Sequence, residues 1–145
     1  MADLHRAART IALLARALER AAGDLTLAQY RVLALVSAGD ERATLLAGRL
    51  AITKPSVSAV VDGLVERGCL AREPVDGDRR AIRLCITPTG ATALHTAESA
   101  MAERLAPLVD ALDDRPAFVA SLDQIDEALA AHFVKTPKHA TKPQR

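Results

Sequence analysis

"LAGRLAITKPSVSAVVDGLVERGCLAREPVDGDRRAIRLCITPTG", residues 46–90, changes its hydrophobic period twice. Up to Gly68 the apolar residues recur every three or four positions. Val57, Val60, Val61 and Leu64 form one stripe of a helix that Thr53 caps and Pro55 opens, where the missing proline N–H costs nothing. From Cys69 to Thr87 the period drops to two: Ile82, Leu84 and Ile86 alternate with Ala81, Arg83 and Cys85, as in a half-buried strand. Leu70 to Val75 is the candidate partner strand, and Asp76-Gly77 is a strong signal for a two-residue hairpin turn. Thr87-Pro88 then starts another helix. A short helix over "LLAGRLAI", with Thr44 as its cap, precedes Thr53 by only a few residues, which is helix-turn-helix spacing. Short helices followed by a two-stranded hairpin make a winged helix-turn-helix.

Outward from this run, everything reads as helix. Leu4, Ala7, Ala8, Ile11, Leu14, Ala15 and Leu18 form one face of a first helix closed by Gly23, with Arg6, Arg9, Arg16 and Arg20 mostly off that face. Thr26-Leu27-Ala28-Gln29 is a capping box, so a second helix runs from about residue 26 to Ala38, where "AGDERA" breaks it. Beyond Thr87, Leu94, Ala97, Met101, Leu105, Leu108 and Leu112 stay in register, and Pro107 inside this pattern is expected to kink the helix or end it early. Asp113-Asp114 reads as a helix break and cap. A last helix from about Pro116 stacks Phe118, Leu122, Ile125, Leu129 and Phe133, and the basic segment 135–145 is expected to be a disordered tail. The order is α-α-α-α-β-β-α-α: a mainly α fold with a small two-stranded β-wing.

Composition narrows the class. Half of the 145 residues are hydrophobic, but only one Tyr and two Phe are aromatic, so Ala, Leu, Val and Ile must build the core. The formal charge of +1 hides a gradient. Residues 1–90 hold 13 Lys/Arg against 10 Asp/Glu, residues 91–134 hold 2 against 8, and residues 135–145 add 4 cations and no acid. With no signal-peptide core and no apolar run near the ~18 residues of a membrane span, a cytoplasmic protein without membrane contact is expected. Two cysteines make no disulfide framework. His5, His95, His132 and His139 are scattered without metal-ligand spacing, and neither a phosphate loop nor a nucleophile elbow occurs. No cofactor, no metal and no enzymatic activity are expected.

The exposed face at the start of the fourth helix carries Thr53, Lys54, Ser56, Ser58 and Ala59, with Asp62 further on. Small hydroxyls, a helix N-terminus and one lysine allow close approach to a major-groove wall, where hydroxyls meet bases or phosphates. At the hairpin tip, an arginine entering a narrow minor groove gains from its enhanced negative potential. Asp78 stands two residues before Arg80 and is placed to orient its guanidinium by a charge-assisted contact, while Arg79 and Arg83 are available to phosphates.

These residues resemble the MarR family of bacterial transcription regulators. The likeness rests on "LTLAQYRVLALV", on residues 46–90 with "LVERG", "DGDRR" and "LCITPTG", and on two long closing helices; it covers roughly residues 4–134. It implies a two-fold homodimer held by the first and last two helices, binding a palindromic operator in double-stranded DNA. It also implies a repressor released by a small anionic or phenolic effector, or by oxidation. Carried over by position, the recognition-helix residues are Thr53, Lys54, Ser56, Ser58 and Ala59, and the wing arginine is Arg80, oriented by Asp78. Ala59 and Gly63 stand where relatives often have a long polar or basic residue, which shifts weight to the wing and Lys54. The division is then a single domain over 1–134, with a DNA-binding part at 26–88 and dimerisation helices at 3–23 and 89–134. Long apolar stripes on the first, fifth and sixth helices support the dimer independently, since a domain with few aromatics struggles to cover them alone.

Alternatives remain open. Cys69 and Cys85 fall on the two wing strands, and if the register sets them opposite each other, oxidation would cross-link the wing; a two-residue turn misaligns them, a longer loop could match them. His5 and Arg9, one helical turn apart, are candidates for an effector contact, against a plain solvated helix face. The rival from another class is a winged-helix protein-interaction module, in which Lys54, Arg79 and Arg80 are ordinary surface charge.

Overall fold

Four of the helices begin where a side chain replaces a missing backbone partner. The computed structural model describes residues 1–39, 43–50, 52–75 and 78–135, with the backbone alone for 43–45, 78–81 and 133–135. The helices are α1 (Ala2–Ala21), α2 (Leu27–Ser37), α3 (Ala43–Leu50), α4 (Lys54–Glu66), α5 (Pro88–Asp110) and α6 (Arg115–Lys135); strands β1 (Leu70–Val75) and β2 (Asp78–Ile86) lie between α4 and α5. Thr26 caps α2 through its hydroxyl, which accepts the Gln29 N–H at 3.1 Å, and the Gln29 carbonyl oxygen accepts the Thr26 N–H in return. Thr87 caps α5 in the same way, accepting from the Gly90 N–H at 3.0 Å. Asp114 caps α6, accepting from the Ala117 N–H at 2.9 Å.

The recognition-type helix α4 stops at a glycine for a conformational reason. Gly68 has φ +70°, and past it the Cys69 N–H donates back to the Leu64 carbonyl at 2.8 Å while the Gly68 N–H donates to Val65 at 2.9 Å. This pair of bonds closes the helix and turns the chain directly into β1. Val32, Leu33 and Val36 of α2, Leu46 and Leu50 of α3, and Val57, Val61 and Leu64 of α4 form the buried core together with Leu70 and Leu84 of the wing. Val60, part of the expected stripe, lies half-buried against it.

The strands pair antiparallel, but the ladder is not the simple hairpin that Asp76-Gly77 predicts. Leu70 opposes Ile86, and the register holds through Pro74 opposite Ile82; the next pair is Val75 with Asp78. β2 therefore holds Arg79, Arg80 and Ala81 with no opposing residue on β1. This is a bulge of three residues, a device that bends a strand and increases its twist. The pair Val75–Asp78 is what a two-residue turn requires, and Asp76 and Gly77 themselves lie outside the described residues. Alternation along β2 is uneven: Leu84 is buried and Ile86 half-buried, but Ile82 is exposed.

Two further expectations need adjusting. α5 runs through Pro107 and ends three residues later, at Asp110, so the proline neither stops it at once nor lets the helix reach Leu112. Its ring removes only the N–H that would have bonded back to Glu103, and the turn survives on its neighbours. The Thr44 side chain lies outside the described side chains, as does Phe133, and the tail from residue 136 lies outside the described residues.

α1 packs along α5, and α6 touches both α5 and α3. None of the residues of α1 is buried; Leu14 and Leu18 are half-buried, while Ile11 is 61% and Leu13 74% exposed. Val119, Leu122, Ile125 and Leu129 are exposed along α6.

Two glycines make opposite predictions. A Cβ on Gly90 would sit 2.0 Å from the Cys69 carbonyl oxygen, a backbone atom that cannot step aside, whereas one on Gly48, inside α3, meets nothing. Gly90→Ala should cost about 1–3 kcal/mol in urea unfolding, and Gly48→Ala should gain about 0.5–1 kcal/mol from lost unfolded-state freedom.

Candidate nucleic-acid interface

α4 presents two chemically distinct faces. Val57, Val61 and Leu64 are buried, while Thr53, Lys54, Ser56, Ser58, Ala59 and Asp62 are all exposed. The five recognition-helix candidates are thus all accessible in the N-terminal half of the helix. Their hydroxyls are not equivalent. The Thr53 hydroxyl accepts the Ser56 N–H at 3.3 Å and shares a 2.8 Å bond with the Ser56 hydroxyl, so both are engaged in holding the cap. Ser58 and Lys54 make no side-chain hydrogen bond or ion pair among the described residues. Gly63, expected at the surface, is half-buried, with the Gln29 amide nitrogen 3.9 Å from where its Cβ would be.

The wing is fastened to this helix by contacts that the sequence reading missed. Arg72 of β1 forms an ion pair with Asp62 on the exposed side of α4. Arg67, at the C-terminus of α4, donates to the Asp24 carbonyl at 3.0 Å and to the Gln29 side-chain oxygen at 3.2 Å. One helix is therefore gripped from the wing on one side and from the α1–α2 junction on the other. Asp62 and Arg72 lie ten residues apart on different elements, so no local spacing rule marks them.

Arg83 was expected to be available for phosphate. Instead its guanidinium donates to Glu73 across the strand pair, from Nη2 at 2.8 Å and Nε at 3.2 Å. These bonds from Arg83 hold the Glu73 carboxyl below its usual range, helped by the Cys85 thiol and by the Arg83 charge. Asp78, Arg79 and Arg80 are described by their backbone at the tip of β2, and the two arginines fall within the bulge.

The register decides the cysteine question. Cys85 stands opposite Ala71, and Cys69 lies two residues beyond it, where its carbonyl accepts the Thr87 N–H at 3.1 Å. No disulfide joins the two, with Cys69 buried and Cys85 half-buried. They are not opposite each other, because the three-residue bulge carries the register past the offset that would align them. His5 and Arg9 are both exposed on α1. Among the described residues no three His, Cys, Asp or Glu side chains cluster as metal ligands, and no helix is long and apolar enough to cross a membrane.

Residues 23–81 match the family model described as the MarR family, a span that holds α2 to α4, β1 and the bulge. The winged segment is similar to that of the MarR family. Solved structures extend the likeness in fold over most of the chain. CouR from Rhodococcus jostii RHA1, bound to p-coumaroyl-CoA, superposes with a TM-score of 0.70 at 20% identity, covering 91% of this chain and 92% of that one. BldR from Sulfolobus solfataricus gives 0.70 at 22% identity, over 87% and 96%. A mutant MarR from E. coli complexed with operator DNA gives 0.65 at 20% identity, over 88% and 95%. No curated protein matches the chain in sequence. MarR-family proteins are DNA-binding transcription regulators, and the likeness fixes the winged helix-turn-helix fold here.

The Glu73–Arg83 pair carries a titration prediction. A carboxyl lowered in the folded state adds stability above its ordinary range, and that contribution is lost as pH falls through the lowered value. Arg83→Gln should move Glu73 back up toward ordinary carboxylate behaviour, read by carbon-detected NMR titration. Since both groups are half-exposed, the melting temperature at neutral pH should barely change.

Proposed function

We propose that the protein is a homodimeric transcription regulator that binds a palindromic operator in duplex DNA and represses until a small anionic or phenolic effector releases it. The observation that carries this reading is one surface: Lys54 and Ser58 stand exposed at the start of α4, and the wing bulge with Arg79 and Arg80 is tied to the same helix through Arg72–Asp62. α4 supplies small polar groups and a positive helix end for the major groove, and Arg80, with Asp78 orienting it, supplies the minor-groove contact. Thr53 and Ser56 hold the helix start in shape, and Ala59 permits close approach. Arg79 contributes a phosphate contact.

A dimer is supported by what a single chain leaves uncovered. Leu4, Ile11, Leu108, Leu112, Val119, Leu122, Ile125 and Leu129 are exposed on α1, α6 and the chain from the end of α5. A second copy buries these stripes and sets two α4 helices about 34 Å apart, one turn of DNA. The acidic charge of residues 91–134 then lies on the assembly side rather than the DNA side. CouR, solved with an anionic aromatic thioester, supports the effector class, and the E. coli MarR complex with operator DNA supports the nucleic-acid partner.

Fluorescence anisotropy against duplex from the upstream region of the protein's own gene tests the DNA reading. Arg80→Ala should weaken binding more than tenfold with helix content unchanged. Lys54→Ala should lower the slope of log affinity against log salt by about one if it contacts phosphate. Unaltered affinity in both folded variants would sink the assignment and leave a protein-interaction module. Ile125→Glu should halve the mass in sedimentation equilibrium and abolish tight operator binding; a dimer that survives it would move the interface elsewhere.

A further inference from the structure

The winged part of the chain, α2 to β2, joins the helical arm of α1, α5 and α6 through two connectors, residues 22–26 and Thr87. Both are held from one place, the C-terminal end of α4. The Gly68 carbonyl accepts the Thr87 hydroxyl, and the Cys69 carbonyl accepts the Thr87 N–H at 3.1 Å. On the other connector, Arg67 Nη1 donates to the Asp24 carbonyl at 3.0 Å and to the Gln29 side-chain oxygen at 3.2 Å. That nitrogen carries two hydrogens and has two neutral acceptors. Each acceptor is set in place locally: Gln29 by the capping box, Asp24 by the turn at Gly23, whose φ is +67°.

The rest of this joint is apolar. Leu94, Ala97 and Met101 of α5 pack into the core that α2, α3 and α4 share. Burial of this kind holds surfaces together without fixing their direction, whereas a hydrogen bond weakens steeply as it bends. There is also room to move. A cleft of about 380 Å³ lies between the first connector and Ala93, Ala97 and Ala100 of α5, with Arg67 on its wall. Two bonded connectors fix an orientation. With the Arg67 bonds gone, Thr87 is left as a hinge.

We propose that Arg67 is a positioning residue that sets the distance between the two α4 helices of the dimer, and so the half-site spacing that the protein accepts. The inference rests on the dimeric regulator reading. The 13 residues of α4 span about 20 Å at about 1.5 Å per residue. A swing of about 5° about the C-terminal end moves its start by ~2 Å, and two-fold symmetry doubles this between the copies, to roughly the rise of one base pair. An angle this small leaves the core packed and still changes the fit to DNA. Arg67 itself needs no contact with the duplex.

The test uses the operator duplex from upstream of the protein's own gene, versions with one base pair added or removed between the half-sites, and an isolated half-site. Wild type should lose tenfold or more in affinity on either change of spacing. Arg67→Ala should bind the native spacing more weakly but discriminate the spacings by less than threefold. Its half-site affinity, salt slope, dimer mass and helix content should be unchanged. Gln29→Glu keeps both the capping box and an acceptor for Arg67, and should discriminate like the wild type. Undiminished discrimination in Arg67→Ala would overturn the proposal. So would an equal loss on every duplex, half-site included, with the salt slope down by about one, the mark of a phosphate contact. A second measurement needs no DNA: double electron–electron resonance between spin labels on Ser58→Cys of the two copies, in a Cys85→Ser background. Wild type should give one narrow distance distribution, and Arg67→Ala one at least twice as broad. That broadening without binding to any duplex would sink the regulator reading and leave the positioning role standing. Equal widths with operator binding intact would sink the positioning role alone. Absence of any dipolar signal would remove the dimer, and the proposal with it.

Discussion

The Cys69 carbonyl is the point on which the wing and the long helix behind it both turn. It accepts the Thr87 N–H, and Gly90 of α5 lies so close that a single added carbon would reach within 2.0 Å of it. Only glycine leaves the room, because the obstacle is backbone and cannot rotate away. One residue earlier, Gly68 uses its positive φ to turn out of α4 and its carbonyl takes the Thr87 hydroxyl. The end of α4, the base of the wing and the start of α5 thus meet within a few ångströms. The direction of α5 is set here, and with it the position of α1, which packs along α5.

A second set of contacts works on α4 from its outer surface. Asp62 is held by Arg72 of the wing, and Arg67 reaches the α1–α2 junction through Asp24 and Gln29. Gln29 does two jobs at once, since the same side-chain oxygen closes the capping box of α2 and accepts from Arg67. An exposed ion pair contributes little to stability. Its value is geometric, because it holds the exposed face of α4 and the bulged strand in one relative orientation.

What was legible in the sequence was local. Thr26 with Gln29, Thr53 with Pro55, Gly68 and Thr87 with Pro88 each announce a helix boundary through bonds made within a few residues, and the structure places boundaries at all of them. The face of α4 followed from the spacing of Val57, Val61 and Leu64. Contacts across elements were not legible. Arg83 read as a free cation because its partner Glu73 is fixed by strand register, and register depends on a bulge that alternation alone does not mark. The same bulge settled the cysteines, which no spacing rule could. Arg67, Asp62 and Arg72 were missed for the same reason: each pair joins residues that only the fold brings together.

The bulge also separates the wing into two parts with different tolerances. From Leu70 opposite Ile86 to Pro74 opposite Ile82 the ladder is fixed by Leu84 in the core and by Arg72 on α4, so its phase cannot slip without moving a buried side chain. Beyond Pro74 the mismatch in residue number has already been absorbed. A residue gained or lost there changes the length of an arm without resetting the joint from which it hangs. The reach of the wing can drift through evolution, one residue at a time, while the body that aims it stays the same.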